Sequence, residues 1–398
     1  MDKDKVPATA PAILIVDDNP KNLQILGNYL QMEGYHVEFA LDGKSALDWT
    51  KRAEFDLILL DIMMPGMDGF EVCKILKTDP VYQKIPIIFL TAKIDTESIV
   101  KGFDIGAVDY VIKPFNQKEL IARVKTQIEI KQSRDEISKY LLEIEYKNKI
   151  IKYSIQSAQI IQNAVLKASV NGTDFFTEQF CLFLPKDIVS GDFYWFQRID
   201  NKLIVGVFDC TGHGVPGAFM SILGVTLLNE TVIRERIVAP HLILKRLREK
   251  IISALGQKGI FWEVKDGMDG SIISYDLKSR TLAFSGAFNP MYIIRKNKII
   301  EFRGDSMPLA YHEKMSDFVS QEIETKPGDL IYLFTDGYVD QFGGKEDKKF
   351  RRSQFKDVLL KNHKKPLIEQ KELLLNTHLN WKGREDQVDD ITVVGLKV

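Results

Sequence analysis

The stretch FDLILLDIMMPGMDG, residues 55–69, decides how the first third of the chain is read. Its apolar run LILL is too short for a helix, ends in a carboxylate at Asp61, and is followed by Pro65 and Gly66, which break regular structure. It therefore reads as a buried strand that delivers a side chain to its C-terminal end. Working outward from it, the same rhythm recurs upstream as ILIV, KNLQILGNYLQMEG, HVEFA and KSALDWTKR, and downstream as IPIIFLTA and DYVIK. Strands alternating with amphipathic helices predict a doubly wound α/β domain with a parallel sheet over residues 12–116, preceded by a disordered segment, residues 1–11. Asp17 and Asp18, Asp61 and Thr91 end three of the strands and Lys113 closes the last. In an open α/β sheet those carboxyl ends are where ligands bind.

The whole chain has 398 residues, enough for two to three domains. Its 54 Lys and Arg nearly cancel its 55 Asp and Glu, so no global basic field favours nucleic acid as a partner. The three cysteines, Cys73, Cys181 and Cys210, form no CxxC pair and fit a reducing compartment. With no signal-type apolar run at the start and no stretch of about 18 consecutive apolar residues, the expected location is cytoplasmic, with no membrane partner.

Residues 117–168 contain no Gly or Pro and repeat Ile, Leu, Glu and Lys at helical spacing, which predicts one long helix linking the domains. Steps of seven give Ile130, Ile137, Ile144, Ile151, Ala158 and Val165. The companion set is Arg134, Leu141, Asn148, Ile155 and Gln162. Together they form a coiled-coil seam, with one core Asn to set register in a parallel homodimer. The alternative is an amphipathic helix lying on its own C-terminal domain.

From residue 169 to 398 the texture changes to many short β-type runs with helices near Gly217–Arg234, His241–Leu255 and between Arg352 and Trp381, an α+β sandwich flanked by helices. Pro216 and Gly217 should open a helix at the site. Aspartates stand at strand ends in VSGDFYW (Asp192), VFDCTGHG (Asp209), LFTDGYVD (Asp336) and QVDDITVV (Asp389 and Asp390). Such a set makes an oxygen-only site for Mg²⁺ or Mn²⁺, and two such ions can share and activate a water for attack on phosphorus. Asp390 reads as structural rather than as a ligand, and Asp266 and Asp269 in KDGMDGS read first as a turn, with lining the site as the alternative. The histidines show no HExxH spacing and no Gly-x-Ser-x-Gly elbow occurs, which excludes zinc protease and serine hydrolase chemistry.

In the first domain, three converging carboxylates repel one another unless a hard cation such as Mg²⁺ sits among them, and a carboxylate beside that cation can accept a phosphoryl group. With VDD, LLDIMMPGMDG, LTA and GAVDYVIKPF in order, residues 12–128 resemble the receiver domain of two-component response regulators, a flavodoxin-like fold with a five-stranded parallel sheet. The resemblance implies that Asp61 is the phosphoacceptor and that Asp17, Asp18 and the backbone carbonyl of Met63 hold Mg²⁺ with it. It further implies that Lys113 pairs with the phosphate, that Thr91 and Tyr110 are the switch pair, that Lys113-Pro114 is cis, and that a histidine kinase or phosphotransfer protein is the upstream partner.

SGDFYW, DCTGHGVPGAFMS, TDGYVDQFGG and VDDIT, taken together, resemble the phosphatase 2C-like metal-dependent protein phosphatases over residues 180–398, in particular the branch of the stage II sporulation phosphatase and sigma-factor regulators. The resemblance implies two Mn²⁺ or Mg²⁺ held by Asp209 as bridge, the backbone carbonyl of Cys210, Asp336, Asp389 and Asp192, and a phosphoserine or phosphothreonine protein as substrate. Thr211 and Gly212 precede His213, where the eukaryotic motif has His directly after Asp-Gly, so a general-acid role for His213 is open. No counterpart of the eukaryotic phosphate-clamping Arg is evident. The expected protein is a response regulator whose receiver controls a phosphatase. The competing expectation is a receiver joined to a catalytically silent, partner-sequestering domain.

Overall fold

A computed structural model describes residues 10–92, 96–168, 176–259 and 266–398. The segment expected to be disordered lies outside the described residues up to position 9. The chain divides into two compact units, Met1–Asn148 and Lys149–Val398.

In the first unit the strands β1 (Ala12–Val16), β2 (His36–Ala40), β3 (Leu57–Asp61), β4 (Ile87–Thr91) and β5 (Asp109–Ile112) alternate with helices α1 (Pro20–Met32), α2 (Gly43–Arg52), α3 (Gly69–Thr78) and α4 (Thr96–Ile105). The sheet order is β2-β1-β3-β4-β5 with every pair parallel. The strands read as unbroken apolar runs because both faces are covered. Leu14, Val16, Ile58 and Leu60 pack on one side of the sheet, and Ile13, Ile15, Leu57 and Leu59 on the other. Lys113-Pro114 is cis.

Helix α5 runs unbroken over Gln117–Ala168, 52 residues. Its first turns bury Leu120, Val124 and Ile128 against β1, β3 and β4 of the first unit. Ile137, Leu141, Ile144 and Ile151 are each more than half exposed. The seam does not extend to the end of the helix as expected. Gln162 is only 2% exposed, and Val165 and Leu166 pack into the core of the second unit. The heptad step continues through these positions, but burial in their own domain takes them out of any seam.

The second unit is a four-layer sandwich. One antiparallel sheet has the order β13 (Gln321–Glu324), β10 (Thr281–Ala287), β9 (Met268–Asp276), β8 (Lys202–Cys210), β7 (Phe193–Ile199). The other has the order β12 (Lys298–Phe302), β11 (Met291–Arg295), β14 (Leu330–Phe334), β17 (Ile391–Lys397), β6 (Glu178–Leu184). Their facing sides share a core of Val205, Val207, Ile273, Phe284, Ile331 and Val394. Helices α6 (Gly214–Leu228), continued by a π-helical stretch Asn229–Arg234, and α7 (Pro240–Leu255) cover the first sheet. A short turn α8 (Gly337–Asp340), a hairpin β15 (Phe342–Gly343) with β16 (Lys348–Lys349), and helices α9 (Arg351–Asn362) and α10 (Leu367–Lys382) complete the fold, the last two covering the second sheet. The stretch Gly214–Arg234 is long and apolar enough to span a membrane, which the composition reading did not anticipate, but more than half of its apolar window is buried inside the unit, as suits a core helix.

Candidate functional site

Each unit gathers its carboxylates at strand ends. In the first, Asp17 follows β1, Asp61 ends β3, and one carboxylate oxygen from each of Asp17, Asp18 and Asp61 lies within 4.8 Å of the other two. Asp17 is fully buried, Asp61 nearly so, and Asp18 is exposed. Lys113, just past β5, spans the gap, its Nζ 2.7 Å from Asp17 Oδ2 and 2.6 Å from Asp61 Oδ2. Asn19 N–H and Asn22 Nδ2 also donate to Asp17, and Met63 N–H donates to Asp61 Oδ1 at 3.3 Å. Burial, with the Asp17 charge adding to it, lifts the Asp61 carboxyl above its ordinary value against the pull of Lys113. Burial lowers the Lys113 ammonium, but the two carboxylates outweigh it and hold its pKa above the usual lysine range. Thr91 is buried at the end of β4. Tyr110 lies on β5, opposite Phe89 in register, edge-on to the Phe103 ring at 6.3 Å and beneath the Arg123 guanidinium.

In the second unit, strand register assembles the site. Phe193 pairs with Phe208, so Asp192 and Asp209 are neighbours across β7 and β8, while Asp209 pairs directly with Asp269 on β9. From the other sheet, Thr335 and Asp336 follow β14, and Asp389 and Asp390 precede β17. Asp192, 1% exposed, joins the two sheets: its Oδ2 accepts from Thr335 Oγ1 at 2.6 Å and Thr392 Oγ1 at 2.8 Å. Its Oδ1 is buried with no hydrogen-bond partner. Burial, then the neighbouring carboxylates, raises Asp192 and Asp209 well above the ordinary range, and Asp336 is raised by burial, Asp340 and Asp389. Arg352 eases the charge at Asp336.

The donor set is all oxygen and largely desolvated, and it leaves a buried carboxylate oxygen of Asp192 unpaired, which fits a hard divalent cation. Asp209, Asp336, Asp389, Asp192 and the Cys210 carbonyl at the end of β8 are the residues that would hold it. Asp390 has a different task. Its Oδ1 and Oδ2 accept the backbone N–H groups of Lys186 and Gly191, each at 2.7 Å, which fixes the loop that carries Asp192. The same loop is held by Gln162 of α5, whose Nε2 donates to Ser190 O at 2.6 Å and whose Oε1 accepts Ser190 N–H at 3.1 Å.

Helix α6 starts at Gly214, two residues before the expected Pro216. A Cβ on Gly217 would lie 2.3 Å from Gly212 O and 2.9 Å from Gly191 Cα, so only glycine lets the helix approach these loops. His213 caps α6 half-exposed, with Nδ1 2.8 Å from Asp187 Oδ2. Of the two readings open for Asp269, the turn fails. It lies within β9, not in a turn, and burial together with the Asp336 charge pushes its carboxyl up to about 7. Asp266 lies outside the strand, with Oδ1 3.3 Å from Thr211 Oγ1.

Comparison with known proteins agrees with this division. Residues 13–125 match the model of the response regulator receiver domain, and residues 199–398, half of the chain, match that of stage II sporulation protein E. Over 129 residues the chain is 43% identical to the DNA-binding response regulator MtrA of Mycolicibacterium smegmatis, covering 32% of this chain and 54% of that protein. Over 125 residues it is 42% identical to the response regulator PleD of Caulobacter vibrioides, covering 31% and 28%. The chain thus spans about half the length, or less, of these curated relatives. The solved SiaA-PP2C domain of Pseudomonas aeruginosa matches with a TM-score of 0.58 at 30% identity, over 63% of this chain and 98% of that one. A receiver sheet with its acidic end, followed by an acidic two-sheet sandwich, places this chain in the stage II sporulation protein E (SpoIIE) family of phosphatase 2C-like, metal-dependent protein phosphatases, here joined to a response-regulator receiver domain.

Proposed function

We propose that phosphorylation of Asp61 controls hydrolysis, by the second unit, of phosphoserine or phosphothreonine on a partner protein. The observation that carries this reading is the Asp192 carboxylate, buried between two sheets with one oxygen unpaired among Asp209, Asp336 and Asp389. A fold does not keep such a cluster for stability, because each member costs desolvation.

In the first unit, Asp61 is the nucleophile toward a phosphoryl group supplied by a histidine kinase or phosphotransfer protein, and Lys113 neutralises the incoming charge. Asp17, Asp18, Asp61 and the Met63 carbonyl would hold Mg²⁺ there. In the second unit, Asp192, Asp209, Asp336, Asp389 and the Cys210 carbonyl would hold two Mn²⁺ or Mg²⁺, which when bound supply Lewis acidity and an activated water. Thr335 and Thr392 orient Asp192, and Asp390 fixes its loop. The substrate class, a small phosphoprotein such as an anti-sigma-factor antagonist, follows from the family resemblance. The exposed Ile137, Leu141, Ile144 and Ile151 of α5 support a parallel homodimer.

The test is Mn²⁺-dependent turnover of a phosphoserine peptide with and without a small-molecule phosphodonor, in wild type, Asp61→Asn and Asp209→Asn. The expected result is a donor response lost in Asp61→Asn and activity lost in Asp209→Asn. Equal rates with Asp61 shown to be phosphorylated overturn the control, and undiminished activity of Asp209→Asn leaves the silent binding domain as the better reading.

A further inference from the structure

We propose that Phe288 is a specificity residue of the phosphatase site, a platform for an apolar side chain of the phosphoprotein about three residues from the phosphorylated one. This rests on the phosphatase reading above and adds how the substrate chain is held.

Position comes first. Strand β10 ends at Ala287, which pairs with Gly270 on β9. Gly270 follows Asp269, the register partner of Asp209. Phe288 therefore leaves the sheet beside the acidic strand ends. Adjacent strands are about 4.8 Å apart, so two strand spacings separate Phe288 from the level of Asp209 by about 10 Å. An extended peptide covers that distance in about three residues.

Conformation is the second observation. Phe288 has φ 59°, in the left-handed region. The other described non-glycine residues with positive φ, such as Asp200, Arg280 and Asn297, are all polar or charged. A bulky aromatic in this region is an outlier that persists only where its surroundings enforce it. Here they do. Phe288 N–H donates to Asp305 O at 2.8 Å, Asp305 N–H to Gly286 O at 2.8 Å, and Asn289 N–H to Ala287 O at 2.7 Å. Gly286 and Gly304 press on the same carbonyl: a Cβ on either would stand 2.4 Å or 2.9 Å from Asn289 O.

What this support presents is a ring 43% exposed that belongs to no core cluster of the described residues. Asp305 also receives Val319 N–H at 2.8 Å on Oδ2, and the Val319 side chain is 56% exposed. Two apolar side chains thus share one rigid support at the rim of an acidic site. A phosphate gains nothing from them, but a side chain carried on the same substrate does, because burying it removes apolar surface from water.

The test uses two phosphoserine peptides that differ only in having Leu or Gly three residues to either side of the phosphoserine, with p-nitrophenyl phosphate as the small substrate. Wild type is compared with Phe288→Gly, which keeps the left-handed backbone without the ring, and with Phe288→Tyr. Wild type is expected to prefer the Leu peptide roughly tenfold in kcat/KM, through KM. Phe288→Gly should lose the preference, Phe288→Tyr should keep it, and p-nitrophenyl phosphate turnover should stay within about twofold in all three. No preference in wild type, a preference that survives in Phe288→Gly, or an equal loss on p-nitrophenyl phosphate overturns the proposal. If wild type hydrolyses no p-nitrophenyl phosphate with Mn²⁺, the phosphatase reading fails by itself. The ratio of Leu to Gly peptide binding by fluorescence polarisation, in wild type against Phe288→Gly, then still decides whether the ring docks the chain.

Discussion

Asp192 carries a carboxylate between two sheets, and its two threonine donors are what make that tolerable. Thr335→Val removes a hydroxyl that both donates to Asp192 and accepts Thr392 N–H at 2.9 Å. The expected loss is about 1–3 kcal/mol of stability, with Mn²⁺ affinity down about 10- to 100-fold, read by denaturant titration and metal titration. Asp269 sets a pH dependence. Its carboxyl is held near 7 against an ordinary 3.8, so the folded chain binds this proton more tightly than the unfolded chain. The stability this contributes is fully present below about pH 4 and is lost as pH rises through about 7. In EDTA-treated protein the thermal midpoint of the second unit should therefore fall between those limits, and Asp269→Asn should flatten the fall. A midpoint that rises over this window would contradict the burial described for Asp269. The aspartates at strand ends were legible in the sequence because each follows or precedes an apolar run. Asp269 was legible only as one of two options, since DGMDG is also a turn pattern and it is the register with Asp209 that shows it to be a strand residue.

At the scale of elements, α5 shows where periodicity stops being informative. Its length was readable from the absence of Gly and Pro, and the heptad step lands on Ile137, Ile144 and Ile151, which are exposed. The same step lands on Gln162, whose partners Ser190 and Ser221 are distant in sequence and leave no local signal. Gln162→Leu strips the Ser190 N–H of its partner and leaves the Ser190 C=O only Ser221 Oγ at 3.3 Å. The expected cost is about 1–3 kcal/mol, and the donor response of the phosphatase should shrink while receiver phosphorylation is unchanged, since the helix loses its hold on the Asp192 loop. Ile144→Glu places a charge in the exposed stripe and should lower the dimer fraction by at least tenfold in sedimentation, with both units still folded. A monomeric wild type at micromolar concentration would remove the dimer from the proposal. Strand β13 went unread because QEIE is short and mostly polar, an edge strand defined by its pairing with β10.

For the whole molecule, two units with separate cores predict two unfolding transitions. Saturating Mn²⁺ at about 100 times Kd is worth about 2.7 kcal/mol to each unit that binds it, so both midpoints should rise by several degrees in calorimetry. Asp61→Asn should remove most of the shift from the first transition alone, and Asp209→Asn from the second alone. A shift lost from both in either variant would mean that the two acidic clusters do not bind independently.

An unbroken helix transmits angle as well as length. Every residue spliced into α5 between Ile128, which faces the receiver sheet, and Gln162, which faces the Asp192 loop, turns the downstream face by about 100° and advances it by about 1.5 Å. Two inserted residues therefore nearly invert the helical phase, and seven restore it to within about 20°. A foreign sensory domain grafted upstream should drive this phosphatase only when joined in phase, with output oscillating against linker length at a period of about 3.6 residues.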